Sequence, residues 1–296
     1  MKRRSFLKTS SVAVVGAGAL RPEKAEALNS VEFGATPSLN AYSFKDALLQ
    51  GKMGLTQLFK FASETGYSAV DLTAYFVPGY PEVTGDEVLY EIKRKAFRSG
   101  VSFSGTGVRN DFTVKDPEEL AGQIEHVKQW IVAASKMGAP NIRVFEGKKV
   151  QSGMTKERTR KQVIDAFREC ALFAKRYGVT VAFQNNGGFI DTPESIIDIV
   201  KAVNSQWFGL MLDTSNVAGP DPYPGIASLI PYAVSWQLKE QVQSALGTEP
   251  VDLKRMMELI RQHNYHGFIP METLGEGDPA KKVKTFYEKY QNASPK

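Results

Sequence analysis

From residue 39 onward two hydrophobic rhythms alternate along the chain. Short apolar runs fall at residues 39–44, 69–73, 101–105, 141–145, 179–183, 209–212, 233–238 and 268–271. Between them lie stretches with apolar positions three and four apart, at 54–65, 87–99, 117–137, 156–177, 193–204 and 253–263. The first rhythm predicts buried strands and the second amphipathic helices. Gly66, Gly100, Gly138 and Gly178 stand between a helical stretch and the next strand, where a left-handed residue commonly ends a helix. Successive strands start 24 to 40 residues apart, the spacing of parallel strands joined by helical crossovers. Eight such units in one run predict a closed α/β barrel, the (β/α)8 or TIM architecture. No glycine-rich dinucleotide fingerprint follows the first strand, so neither an open Rossmann sheet nor a nucleotide cofactor is expected.

The segment before this pattern has a different character. Arg3 and Arg4 precede a weakly apolar stretch of ten residues, 11–20, and Ala25-Glu26-Ala27 offers a small-x-small cleavage site. This predicts a twin-arginine signal over residues 1–27, a barrel domain over 28–296, and a periplasmic mature protein. Ten apolar residues are too few to span a bilayer, so no membrane span is expected in the mature chain. Six basic and two acidic residues lie within 1–27, and their removal takes the formal charge from +5 to +1. A nearly neutral protein has no electrostatic footprint for nucleic acid. Cys170 is the only cysteine, which rules out an internal disulfide. Its place in an amphipathic stretch reads as a small buried apolar residue.

In a barrel of this kind the chemistry sits at the C-terminal strand ends, and the later strands of this chain end in polar residues. The fifth runs into Gln184-Asn185-Asn186, the sixth into Asp213-Thr214-Ser215, the seventh into Gln237-Leu238-Lys239 and the eighth into Glu272-Thr273. Side chains alternate faces along a strand. If the polar faces turn inward, Gln184, Asp213, Gln237, Lys239 and Glu272 meet in one pocket, although any one of them can instead cap a neighbouring helix. Glu272 and Glu146 are candidate acid/base groups, and Asp71 is a further one. Lys239 is a candidate for stabilising an enolate oxygen by charge. Arg143 and Arg109 offer carboxylate- or hydroxyl-binding guanidinium groups. Tyr75, Phe76 and Tyr80 share one Pro/Gly-shaped loop, where exposed rings can provide apolar faces to a pyranose. Asn186 and Gln237 complete the expected substrate contacts.

These strand ends resemble the xylose-isomerase-like sugar phosphate isomerase/epimerase superfamily, over residues 36–290. The resemblance implies a divalent metal, magnesium or manganese, held by Glu, Asp, His and Glu on strands five to eight. Those positions carry Gln184, Asp213, Gln237 and Glu272 here. Asp213 and Glu272 match the pattern, whereas the two glutamines depart from it. An amide oxygen is a poorer ligand for a hard cation than a carboxylate, and Gln237 brings no imidazole nitrogen. An amide also cannot accept a proton, so Gln184 removes one of the family's two bases. The resemblance implies a sugar or keto-sugar isomerase or epimerase working by proton abstraction next to a carbonyl, with small carbohydrates as partners. Two alternatives stand beside it: a keto-glycoside lyase or hydrolase, and a periplasmic sugar-binding protein that has lost the metal site. A repair-nuclease function requires clustered histidines and a basic surface, and the sequence has neither. Assembly into an oligomer is compatible with every one of these readings.

Overall fold

The computed structural model describes residues 34–217 and 219–294; the expected export segment lies outside them. Eight parallel strands close a barrel: β1 (Thr36–Asn40), β2 (Ala69–Thr73), β3 (Ser102–Gly107), β4 (Asn141–Val144), β5 (Thr180–Gln184), β6 (Phe208–Asp213), β7 (Ala233–Lys239) and β10 (Phe268–Glu272). They neighbour one another in chain order, and β10 returns to pair with β1. Around them run α1 (Lys45–Leu49), α2 (Leu55–Thr65), α3 (Asp86–Arg98), α4 (Pro117–Met137), α5 (Lys156–Lys175), α6 (Pro193–Val203), α7 (Tyr223–Leu229), α8 (Leu253–Gln262) and α9 (Pro279–Ala293). The (β/α)8 architecture expected from the alternating pattern is the one found.

The strands read as continuous apolar runs because both of their faces are covered. Every residue of β2 and β6 is buried. The largest fully buried side chains include Trp130, Trp236, Phe59 and Phe167. Phe167 of α5 packs on Phe183 of β5 and Phe208 of β6, with ring centroids 5.2 and 4.9 Å away. Each such ring contributes about 1.5–3 kcal/mol by leaving water. Asp116 caps α4 by accepting from Glu118 N and Glu119 N at 2.9 Å. Gly66 and Gly138 end α2 and α4 in the left-handed region, at φ +107° and +87°. The last helix is tied to the first βα unit: Tyr290 donates to Ala35 O and Tyr287 to Gly66 O, both at 3.0 Å. Among the described residues no helix is long and apolar enough to cross a membrane.

Two elements differ from expectation. The first strand ends at Asn40 rather than at residue 44, and Ala41–Phe44 turns into a 3-10 helix whose Tyr42 N is held by Asn40 Oδ1 at 2.9 Å. After β7 the chain forms an antiparallel hairpin, β8 (Gln241–Ser244) and β9 (Gly247–Pro250). Val242 is its one buried side chain, so no apolar run announces it.

Candidate active site

The C-terminal strand ends surround a cavity of about 660 Å³, large enough for a small ligand. Its floor and walls come from the inward positions of the strands. Asn40 of β1, Asp71 of β2, Arg143 of β4, Gln184 of β5, Asp213 of β6, Gln237 and Lys239 of β7, and Glu272 of β10 all line it. Tyr75, Arg109 and Asn186 enter from the loops above. Of the residues singled out in the sequence, Glu146, Phe76 and Tyr80 do not reach the cavity wall.

The four positions of the superfamily's metal pattern do converge, and they are joined by hydrogen bonds. Gln184 Nε2 donates to Asp213 Oδ2 at 2.8 Å and to Gln237 Oε1 at 2.6 Å, and Gln237 Nε2 donates to Glu272 Oε2. The direction of this relay follows from its ends. An ionised carboxylate only accepts, so each amide turns an N–H toward Asp213 or Glu272. The remaining Asp213 oxygen, Oδ1, accepts from Ser215 N and Ser215 Oγ at 3.0 and 2.9 Å. Asn185 braces the same strand end. Its Oδ1 accepts from Asp213 N at 2.8 Å, and its Nδ2 donates to Asp213 O at 2.9 Å. Lys239 completes the ring: its ammonium donates to Glu272 Oε1 and stands 3.7 Å from Asp213 Oδ2.

Tested against a divalent ion, this arrangement does not fit. Magnesium requires oxygen ligands in near-octahedral geometry. Here Gln184 and Gln237 direct N–H groups at the two carboxylates, and an ammonium already lies between those carboxylates. No histidine lines the cavity. Among the described residues no cluster of three or more His, Cys, Asp or Glu side chains could hold a metal.

Two carboxyl groups in the cavity have raised proton affinity. Burial pushes Asp71 up to about 6, with Arg143 opposing and the charge of Glu272 adding to the rise. No hydrogen bond reaches the Asp71 carboxylate among the described residues, and its Oδ2 is fully enclosed. Glu272 is likewise raised by burial, against the pull of Lys239. Asp71 belongs to the interior of β2, paired with Asn40 and Gly105, rather than to the loop after it. That position fixes its carboxyl across the barrel from β6.

The opposite wall is basic and aromatic. Arg143 donates to Tyr75 Oη at 2.9 Å, and its guanidinium lies 4.3 Å from the Phe145 ring centroid. Arg109 covers the Tyr75 ring at 4.5 Å. Neither arginine pairs with a carboxylate by direct contact among the described residues. Gly107 makes this packing feasible, because a Cβ there would lie 2.5 Å from Arg143 Nε. Of the three rings in the loop after β2, only Tyr75 faces the cavity. Tyr80 uses its hydroxyl to accept from Arg109 N at 3.0 Å and packs on Trp130 at 5.6 Å, while Phe76 joins the core. Their role is to hold the loop, which corrects the expectation of a three-ring sugar platform.

Glu146 is corrected too. It is fully buried behind the loops after β4 and β5, with neither carboxylate oxygen hydrogen-bonded to a partner, and a Cβ on Gly188 would collide with it. Burial raises it to about 7, and Asp111 adds to the rise. Residues missed in the sequence include Asn40, Tyr42 and Ser215, which line the cavity, and the brace Asn185. Alternation along β1 would have found Asn40. Tyr42 was hidden because its apolar neighbours made the strand look longer.

A family model described as the xylose isomerase-like TIM barrel matches residues 59–290. Solved structures similar in fold include a 3-keto-D-glucoside 4-epimerase from E. coli in apo form, at 13% identity and TM-score 0.70, covering 87% of this chain and 99% of that one. An L-ribulose 3-epimerase is similar at 14% identity and TM-score 0.69, covering 88% and 95%. A xylose isomerase-like TIM barrel protein from Mycobacterium smegmatis in complex with magnesium is similar at 17% identity and TM-score 0.64, covering 89% and 98%. No curated protein sequence matches the chain.

Proposed function

Because the chain belongs to the xylose isomerase-like TIM-barrel family, we propose that it is a sugar isomerase or epimerase moving a proton next to the carbonyl of a keto-sugar. The observation that carries this reading is the pair of buried carboxyl groups, Asp71 and Glu272, on different strands of one sugar-sized cavity. Moving a proton from one carbon to its neighbour, or from one face of a carbon to the other, requires a group that removes it and a group that returns it. Glu272 is the first of these and Asp71 the second, which compensates for the base lost at Gln184. Burial raises the proton affinity of both, which suits groups that must hold a proton as well as release one. Tyr75 presents a ring to the sugar, and Arg109, Arg143 and Asn186 supply donors for its oxygens. The epimerases similar in fold act on keto-sugars, which sets the first substrates to try.

The test is turnover of a panel of free ketoses and 3-keto-glucosides, with products separated by chromatography. Glu272→Gln should lower kcat by about 10²–10⁴-fold. In the wild type, kcat/KM should fall as pH rises through about 6 and Asp71 loses the proton it returns to carbon, and Asp71→Asn should remove that limb. Full activity in Glu272→Gln would remove it from the chemistry. Binding of these sugars without turnover would favour a carbohydrate-binding protein, a reading that the two glutamines support.

A further inference from the structure

The centre of this cavity already contains a cation, and it is a side chain. We propose that Lys239 is the resident positive charge of the site, standing where the magnesium-binding architecture of this fold would place a metal, and that the protein works without a divalent ion. The chemical role rests on the isomerase/epimerase reading above; the identity of the charge does not.

The geometry is specific. Lys239 and Glu272 are register partners on adjacent strands, and Asp213 pairs with Gln237 on the other side of β7. The lysine therefore projects between the two carboxylates retained from the metal pattern, donating to one and standing 3.7 Å from the other. All three groups are withdrawn from water: the side chains of Asp213 and Glu272 are 2% and 0% exposed and that of Lys239 is 12% exposed. Buried charges without a partner are strongly unfavourable, so the pair of carboxylates requires a cation and the lysine provides it. Its backbone is fixed as well, since Lys239 N donates to Thr214 Oγ1 at 3.1 Å.

The glutamines make the exchange consistent. Replacing a carboxylate by Gln184 lowers the negative charge of the four-residue set to two. The relay of amide N–H groups then satisfies the carboxylate oxygens that a metal would otherwise take. A divalent ion would have to displace the ammonium and reverse both amides.

An ammonium has three donors. One is given to Glu272 and a second faces Asp213, which leaves the third for a substrate oxygen. When a C–H bond beside a carbonyl breaks, its electron pair moves into the new C=C bond and negative charge appears on the carbonyl oxygen. Lys239 would stabilise that oxygen by a charged hydrogen bond. Glu272 takes the proton and Asp71 gives one to carbon, and the two carboxyl groups regain their starting states by exchange with water, so no oxidant or co-reactant is needed.

The experiment titrates Mn2+ and Mg2+ separately into the purified protein by calorimetry, and follows the melting midpoint with and without EDTA. The wild type should show no saturable binding up to about 1 mM and no shift of midpoint with either additive. Lys239→Met should melt several degrees lower, and added Mg2+ should recover part of the loss by neutralising Asp213 and Glu272. One equivalent of tightly bound metal in the wild type would overturn the proposal. A Lys239→Met protein as stable as the wild type would overturn it as well. If that variant fails to fold, the wild-type titration alone decides. No sugar enters these measurements, so absence of turnover and failure of the lysine proposal are separately visible.

Discussion

Glu146 shows how closely strand geometry limits what can be read from a residue's type. It follows a strand end, is acidic, and has a carboxyl raised to about 7, yet it is sealed behind the cavity wall. Alternation assigns a face only while the backbone remains extended, and β4 ends at Val144. Asp213, Gln237 and Glu272 were legible because they lie within their strands; Glu146 was not. Its burial has a consequence for stability. The folded protein retains this proton at pH values where the unfolded chain, with an ordinary value of 4.5, releases it. Its contribution to stability is therefore greatest below about 4.5 and is lost as pH rises through about 7. Glu146→Gln has no proton to lose, so it should gain on the wild type over that window, by roughly 3 kcal/mol at its upper end. Urea unfolding at pH 5 and pH 8 checks this, and an equal difference at both pH values would contradict it.

At the level of elements, the strands and long helices were plain in the sequence because burial on both faces gives parallel strands unbroken apolar runs. The errors arose where apolar residues serve another purpose. Tyr42 and Phe44 prolong the apolar run of β1, but the chain turns after Asn40, and Tyr42 faces the cavity. The hairpin of β8 and β9 escaped notice because a two-stranded flap needs just one buried anchor, Val242. Close approach of neighbouring strands is just as hidden. Arg143 of β4 lies over Gly107 at the end of β3, and nothing in the sequence pairs them. Gly107→Ala would push the guanidinium away from Tyr75. We expect midpoint loss equivalent to about 1–3 kcal/mol and about tenfold weaker substrate binding, with kcat changed less than KM. Unchanged KM would show that Arg143 does not meet the substrate.

For the molecule as a whole, the barrel brings Asn40 and Glu272, 232 positions apart in the chain, into one cavity. The barrel could be read from the eight-unit pattern, and the cavity from the polar strand ends. The internal wiring could not, because whether Gln184 and Gln237 hold a metal or hold two carboxylates depends on where Lys239 sends its ammonium. The structure places that ammonium between Asp213 and Glu272. Opposite stand Tyr75 and two arginines, and Asp71 contributes a carboxyl that titrates near 6. On the proposed reading, one end of the cavity moves a proton and the other holds a polar ring. Solvent exchange tests that division of labour most directly. The protein is incubated with each keto-sugar of the panel in D2O, and deuterium at the carbon beside the carbonyl is followed by NMR. The account predicts that one sugar takes up deuterium well above the protein-free rate, with the uptake abolished by Glu272→Gln. A sugar that binds in the cavity, perturbing Tyr75 and its neighbours, yet gains no deuterium would contradict it.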